Sequence, residues 1–568
     1  MPFLYFSFQT FLCQVKAVTT KLDDLISCIK ADQTKRVKTE DPMVINIFVA
    51  GENPEQSTTG MNGHFVHFLL LIDVLLRMKS TEKDRKEFIA LCKNEYQGNK
   101  SELTIIKEFE KDYSPSNALW WYTRESFLYK MLNKALRVQN IDLLFLLRFF
   151  ICDIHRELEL IQSKSPMRVY RGQVLSKDEL KSLQQSKGKL ISISSFFSTT
   201  TDRDEALEFL KRSNIVDDLR GVIFEIDADP RVVTTKPFGD ISARSKFPGE
   251  SEVLFMVGCI FRLEDIRQNK DQTWVIRLML CDGEKHDLKE LFGHMKKTYG
   301  GDDDVADLLT FGKVLRQMGK YELAEKFYRR LLNELPSDDQ ILSSLYYSLG
   351  LVLKDKKELS PSLEYLNKSL AIELHKSPRS YQNICDRYNA IGDIHRRQGK
   401  HDRALYWYNK AKELLEKEKD VDGLKMAHLY NNMALILEEQ KNYTKALDLN
   451  QKALVIRGKC LPPNHSDIGV SHNNIGNIYY RLRRYDLALE HYNQSLNIKL
   501  KSLPSNHPHV AQNYANMATV HEDKDELNQA LTFYQKAASI YRQSLVPEHP
   551  DLVRAEKDVK RIFSKMKR

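Results

Sequence analysis

The run NIGNIYYRLRRYDLALEHYNQSL, residues 474–496, decides the architecture of half this chain. A small residue, Gly476, is followed twelve positions later by Ala488, and four further on by an aromatic, Tyr492. The same frame returns in SLGLVLKDKKELSPSLEYLNKSL (348–370), AIGDIHRRQGKHDRALYWYNKAK (390–412), NMALILEEQKNYTKALDLNQKAL (432–454) and NMATVHEDKDELNQALTFYQKAA (516–538). Its first small residue falls at Gly350, Gly392, Ala434, Gly476 and Ala518, every 42 residues. An earlier copy, TFGKVLRQMGKYELAEKFYRRLL (310–332), sets Gly312 38 residues ahead of Gly350. The second small residue falls at Ala324, Ser362, Ala404, Ala446, Ala488 and Ala530. The aromatic stands at Tyr328, Tyr408, Tyr492 and Tyr534, with Leu366 and Asn450 departing. Two antiparallel helices per copy account for this. Small residues let the pair approach closely, and the aromatic is expected to fill the gap to the next copy. One pair cannot bury its apolar face alone, so the copies must stack.

This array resembles the tetratricopeptide repeat in the longer-period version of kinesin light chains, and linkers such as LPPNHSDIGVSHNN (461–474) and LPSNHPHVAQNYAN (503–516) match that version. The resemblance covers residues 303–545 as six repeats, with PEHPDLVRAEKDVKRIFSKMKR supplying a solvated capping helix over 546–568. It implies an all-α solenoid that binds an extended peptide or protein in a groove. Asn432, Asn474 and Asn516 share one register, and Asn389, Asn431 and Asn473 another. Each amide offers donors and an acceptor. Such a ladder either lines the groove or makes helix–helix hydrogen bonds between copies.

Composition bounds the rest. The chain has 568 residues, 29% of them charged, and a formal net charge of +9. Lys and Arg are spread without a dense basic block, so no nucleic-acid partner is expected. Eight cysteines are scattered with no CxxC and no neighbouring His pair. They read as free thiols in a reducing, cytoplasmic compartment, with no metal site. The opening MPFLYFSFQTFLCQVKA lacks a basic leader and is too short to span a membrane, so neither secretion nor a membrane partner is expected.

The first half changes texture along its length. VINIFVAG (44–51) is strand-like, HFVHFLLLIDVLLRM (64–78) is helical or a pair of elements, and ALWWYTRESFLYKMLNKALR (118–137) and IDLLFLLRFFICDIHREL (141–158) carry helical spacing. RVYRGQVL, KLISISSFFSTTT, GVIFEIDA, EVLFMVGCIFRL and TWVIRLMLC then read as strands, with DRDEALEFLKRS as a charged helix among them. Domains are expected at 1–99 (an N-terminal mixed α/β region that could be incomplete), 100–281, a linker at 282–302, the repeats and the cap.

Three motifs fall in order on this β-rich part. Arg171-Gly172 sits on the first strand, Ser198-Thr199-Thr200 ends a later one, and Glu250-Ser251-Glu252 follows a Pro-Gly turn in SARSKFPGESEVLFMVG (242–258). If Ser251 is extended, both glutamates point the same way. Two like charges so close cost free energy unless something cationic lies between them. The bland reading is a strand end with solvated acids.

Taken together, the motifs and the helical lobe ahead of them resemble the arginine-serine-glutamate class of mono-ADP-ribosyltransferases, related to the binary clostridial toxins and the vertebrate ecto-enzymes. The resemblance covers residues 100–281 and implies an α+β domain, a helical lobe plus a two-sheet β lobe, ahead of the all-α solenoid. It implies NAD as co-substrate and no metal. Glu252 would stabilise the cationic ribose as nicotinamide leaves. Arg171 would clamp the phosphates with its planar fork. Gly172 would let the backbone approach the nicotinamide amide. Ser198 would orient Glu252, and Phe209 would stand beside the nicotinamide. In this family the first acid of the pair goes with arginine as acceptor. Glu250 would hold the acceptor guanidinium and take its proton, and Phe247 would stack on it. Thr200 stands where the family usually has Ser, with its hydroxyl kept.

The expected function is therefore transfer of ADP-ribose from NAD to protein arginine, with the repeats recruiting the target. Two rivals remain: a non-catalytic peptide-binding adaptor built on a spent fold, and an NAD glycohydrolase that uses water as acceptor.

Overall fold

The computed structural model describes residues 45–48, 61–281, 292–293, 295–297 and 305–566, apart from residues 125, 214, 216–217, 233–235, 377–379, 418–422, 504, 506 and 546–548. The opening apolar run and most of the linker expected at 282–302 lie outside the described residues. The chain divides into two units: Met1–Ala50 with Leu75–Lys285, and Gly51–Val74 with His286–Arg568.

In the first unit, nine strands are hydrogen-bonded in one order, β1-β3-β8-β9-β5-β2-β4-β7-β6, among the described residues. They are β1 (Ile45–Phe48), β2 (Met167–Ser176), β3 (Leu190–Ile193), β4 (Phe197–Thr200), β5 (Leu219–Ala228), β6 (Phe238–Asp240), β7 (Glu252–Phe255), β8 (Ile260–Gln268) and β9 (Trp274–Cys281). Only β5 and β9 pair in parallel. Two sheets were expected, and the structure joins them into one. The sheet curls so that distant strands face each other. Phe261 of β8 lies with its ring 5.9 Å from Phe197 of β4 and 5.6 Å from Phe255 of β7. Phe224 of β5 closes the same buried cluster, 6.1 Å from Phe197.

The run EVLFMVGCIFRL becomes two strands because the chain reverses at Gly258, whose φ of +84° suits a residue without Cβ. The helix expected over 118–137 is split into Ala118–Thr123 and Phe127–Val138. Arg124 and Ser126 both adopt extended backbone, which ends one helix and starts the next. The long helix Ile141–Leu160 is buried over most of its length. It packs through Phe149 on Phe88 in an edge-on contact that suits aromatic quadrupoles, and on Phe109 with the rings tilted. Arg148 pairs with Asp84 in the interior. The helix Glu82–Glu95, which carries Phe88, therefore belongs to this lobe, and β1 pairs with β3 over Ile45–Phe48. A boundary at residue 99 would cut through packed structure.

The second unit contains the repeat helices in pairs from Leu308–Gln317 to Leu527–Ser544, closed by Pro550–Met566. Where the repeat has an aromatic after its glycine, that ring packs on the glycine of its own repeat as well as toward the next. A Cβ added at Gly312 would stand 2.2 Å from Tyr328, at Gly392 2.5 Å from Tyr408, and at Gly476 2.8 Å from Tyr492. Tyr408 then joins Leu429 and Ile436 of the following repeat in one buried cluster. The turn inside each pair carries a left-handed residue seven positions after the small one: Gly319, Lys357, Gly399, Lys441, Arg483 and Asp525. Only two of these six are glycine, so composition alone hides the turn.

Repeats normally touch only their neighbours. Here Lys357 also pairs with Asp551 at 3.3 Å, and Gly319 lies against Pro508. The asparagine ladder runs between repeats: Asn432 Nδ2 donates to Asn389 Oδ1 at 2.9 Å, and Asn516 Nδ2 to Asn473 Oδ1 at 3.1 Å. Asn474 is buried. Among the described residues no helix is long and apolar enough to cross a membrane.

Candidate active site

The site forms where β2, β4 and β7 lie side by side. β4 and β7 pair antiparallel, with Thr200 opposite Glu252 and Ser198 opposite Leu254. Ser198 and Glu252 are thus diagonal neighbours on one face. The Ser198 hydroxyl donates to Glu252 Oε1 at 2.6 Å. β2 and β4 share a single paired position, Tyr170 with Thr200, although β2 stays paired with β5 along its whole length. The two strands part beside Arg171. Its Nη1 bridges the gap by donating to the Ser198 carbonyl oxygen at 2.7 Å, and its Nε donates to Gln173 Oε1 at 3.2 Å. The guanidinium carbon lies 5.6 Å from the Phe197 ring. Arg171, Ser198 and Glu252 are therefore brought together from three strands.

Burial raises the Glu252 carboxyl above the ordinary carboxylate range. The Ser198 hydrogen bond and the Arg171 charge oppose this, whereas Glu250 and Glu205 add to it. An acid in this place could stabilise a cation only when ionised, so any activity that depends on it would fall as pH drops through its raised value. Ser198→Ala removes an interaction that favours the ionised form. In any reaction that draws on the ionised acid we expect that variant to lose roughly ten- to a hundredfold in rate at neutral pH, the range of one hydrogen bond to a charge. We also expect the acid limb of its pH–rate profile to move to higher pH. A profile that keeps its position would deny Ser198 this role.

Glu250 is placed differently from Glu252. Its N–H donates to the Phe247 carbonyl at 3.1 Å, so it closes the Phe-Pro-Gly-Glu turn instead of continuing the strand. Glu250 is exposed, and Phe247 is 44% exposed. Glu250 precedes β7, which begins at Glu252, yet its charge is felt at Glu252.

Gly172 is a glycine for a packing reason: a Cβ there would stand 2.3 Å from the Ala206 carbonyl oxygen and 3.1 Å from Phe209 Cδ1. The helix Arg203–Arg212 lies directly on this strand, and Phe209 is half-buried over it. Thr200 serves the start of that helix, since its hydroxyl donates to Glu205 at 2.6 Å and accepts from the Asp202 N–H. Thr199 is buried and bonds the Val253 carbonyl.

Sequence reasoning misses three residues of the site. Gln173 is buried beside Arg171. The Ser242 hydroxyl accepts from the Glu252 N–H at 3.2 Å. Tyr122, buried in the helix Ala118–Thr123, lies within the field of both Glu252 and Arg171. Burial and the neighbouring Tyr129 push its hydroxyl well above its ordinary value. The period-two position of Gln173 after Arg171 is the one signal that could have found any of them. Among the described residues no cluster of three or more His, Cys, Asp or Glu could hold a metal ion.

Comparison with known proteins bears on both units. Residues 383–459, 425–501 and 467–543, and separately 312–342, match tetratricopeptide repeat models. The helical pairs are therefore tetratricopeptide repeats, which follow an α/β unit built on a mixed sheet. A search of curated proteins found no match. Among solved structures, the C3 exoenzyme of Clostridium limosum is 20% identical, over 31% of this chain and 89% of its own, with a TM-score of 0.23. The ADP-ribosyltransferase HopU1 of Pseudomonas syringae pv. tomato DC3000 is 19% identical, over 36% and 99%, with a TM-score of 0.25. BtubC (BKLC) from P. vanneervenii is 18% identical, over 44% and 91%, with a TM-score of 0.29. Scores this low say nothing about what this chain does.

Proposed function

We propose that this chain transfers ADP-ribose from NAD to arginine side chains of protein targets and releases nicotinamide. The single observation that carries the reading is the Ser198 Oγ–Glu252 Oε1 bond of 2.6 Å, with Arg171 bonded to the same serine's carbonyl. A half-buried carboxylate, held from one side and flanked by a guanidinium, suits a dinucleotide that is anionic at its phosphates and becomes cationic at its sugar. In the reaction the bond from ribose C1′ to nicotinamide breaks, and its electron pair leaves with nicotinamide. Glu252 faces the positive charge that develops on the sugar. A guanidinium nitrogen of the acceptor bonds to C1′, and its proton passes to Glu250. A protonated guanidinium is a poor nucleophile, which is why the acceptor needs a carboxylate of its own. Phe247, exposed on the same turn, offers a ring face to the acceptor cation. Gly172 and Phe209 form the nicotinamide side of the site in this reading.

The catalytic domain in this proposal ends near residue 281, and the repeats over 303–545, capped by 546–568, recruit the target. A peptide held by the repeats would present its arginine at high local concentration. Asn432 and Asn516 would engage a peptide backbone through amide atoms not used between repeats. Asn474, being buried, has least to offer. A cytoplasmic setting agrees with the free cysteines among the described residues.

The test uses NAD and agmatine with the full chain. Wild type is expected to release nicotinamide and form ADP-ribosyl-agmatine. Glu250→Gln should lose transfer by on the order of a hundredfold while slow hydrolysis of NAD continues. Equal loss of both activities would refute the division of labour between the two acids. No nicotinamide release from wild type would leave the adaptor reading, and release indifferent to agmatine would leave the glycohydrolase.

A further inference from the structure

The segment 241–251 between β6 and β7 carries both acceptor-side groups, Phe247 and Glu250. Its tip is exposed from Lys246 to Ser251. Its base is closed by hydrogen bonds at the strand ends, from Ile241 N–H to the Glu252 carbonyl at 2.9 Å and from Glu252 N–H to Ser242 Oγ. Those bonds fix where the loop begins and ends. They leave the orientation of the Pro248-Gly249 turn open.

Three further contacts close that freedom, and all lead to the six-residue helix Ala118–Thr123. First, Arg244 Nη1 donates to Glu157 Oε1 at 2.9 Å, and the other oxygen of the same carboxylate accepts the Leu119 N–H at 2.7 Å. Glu157 is buried, so its charge must be matched by donors of this kind. It joins the loop to the first turn of the helix. Second, the Lys246 N–H donates to Thr123 Oγ1 at 2.8 Å, and the Thr123 hydroxyl donates in turn to the Leu119 carbonyl at 3.0 Å. That contact joins the loop to the helix's last turn. Third, Lys246 Nζ lies 5.1 Å from the Trp120 ring, a cation–π distance. None of these contacts involves Arg171, Ser198 or Glu252. A loop tied to the helix at Arg244 and Lys246, and to the sheet after its tip by the Thr201 N–H on the Ser251 carbonyl at 3.2 Å, holds Phe247 and Glu250 before any acceptor arrives.

We propose that Thr123, Glu157 and Arg244 are positioning residues for the acceptor, which fix the 247–250 turn against the helical lobe so that Glu250 meets the guanidinium at bonding distance. The inference rests on the transferase reading above. It adds that acceptor geometry is set by the helical lobe, across 123 residues of sequence, and not by the strands that hold the NAD-side groups. An error of about 1 Å in such a group costs on the order of a hundredfold.

The experiment compares full-length wild type with Thr123→Val, Thr123→Ser and Arg244→Gln. Val keeps the shape of Thr and removes its acceptor oxygen, and Ser keeps the oxygen. Steady-state kinetics are run with agmatine, NAD hydrolysis is measured without acceptor, and amide hydrogen exchange is followed over residues 242–251. Thr123→Val and Arg244→Gln are expected to raise the KM for agmatine roughly tenfold. The KM for NAD and the hydrolysis rate should stay within about twofold. Thr123→Ser should restore the agmatine KM, and exchange over 244–250 should quicken in the two impaired variants only. An unchanged agmatine KM, or a parallel fall in transfer and hydrolysis, would overturn the proposal. If wild type modifies no guanidine at all, the transferase reading falls by itself. The exchange measurement then still decides whether these residues hold the loop, and unchanged exchange would end the proposal.

Discussion

Under the proposed reaction, Glu252→Gln is expected to lower NAD cleavage by on the order of a thousandfold, with or without agmatine, because it removes the negative charge proposed to face the sugar. Gln keeps the volume and can still accept from the Ser198 hydroxyl, so the loss isolates the charge. Stability should move the other way. The folded carboxyl is raised above its unfolded value, so between the two values the native protein holds the proton more tightly than the unfolded chain. As pH rises through that window the wild type loses stability, and at neutral pH it carries the full cost of an ionised, half-buried acid. Gln does not titrate. The variant should therefore melt no lower than wild type at pH 7, and the gap should close as pH falls toward the unfolded carboxylate value. Nicotinamide release and thermal unfolding check both halves. A variant that unfolds early would place Glu252 among the structural residues, and one that stays active would exclude the site.

Arg171→Lys is expected to lower kcat/KM for NAD roughly a hundredfold, mostly through KM. Lys keeps the charge but cannot hold two acceptors in a planar fork. Arg171 uses Nη1 on the Ser198 carbonyl and Nε on Gln173. Those two bonds span the place where β2 and β4 separate. An ammonium would satisfy one and release the other, so both phosphate contact and the set of the Ser198 strand should suffer. Saturation kinetics with NAD measure the split. A wild-type KM would mean that the guanidinium serves the strand gap alone.

Much of the fold was legible in the sequence. The 42-residue frame of glycine, alanine and tyrosine follows from helix pairs that must stack, and it was read to the residue. Glycines 312, 392 and 476 sit where a Cβ would strike the tyrosine sixteen positions on, a constraint visible because both partners belong to one repeat. Strand texture located β2, β4 and β7, and Arg171, Ser198 and Glu252, singled out through a family resemblance, lie together in the structure. The tyrosine rings reach the following repeat as the spacing implies, Tyr408 against Leu429 and Ile436 and Tyr492 against Met517 and Val520, while their second contact, on the glycine of their own repeat, is visible only in the packing. The split of 118–137 into two helices was also missed, because apolar periodicity runs through Arg124 and Ser126 unbroken while the backbone does not.

By itself the sequence determined what recurs locally: helix pairs of fixed period and runs of strand texture. Local periodicity and side-chain chemistry are properties of short segments, and short segments can be read. Only the tertiary structure decided that the nine strands among the described residues make one curled sheet, with Phe197 and Phe261 meeting across it. Only it brought Thr123 to Lys246 and Glu157 to Arg244. Such contacts depend on strand register and on how a helix seats against a sheet, free energies summed over the whole packed unit, so no single stretch of chain encodes them.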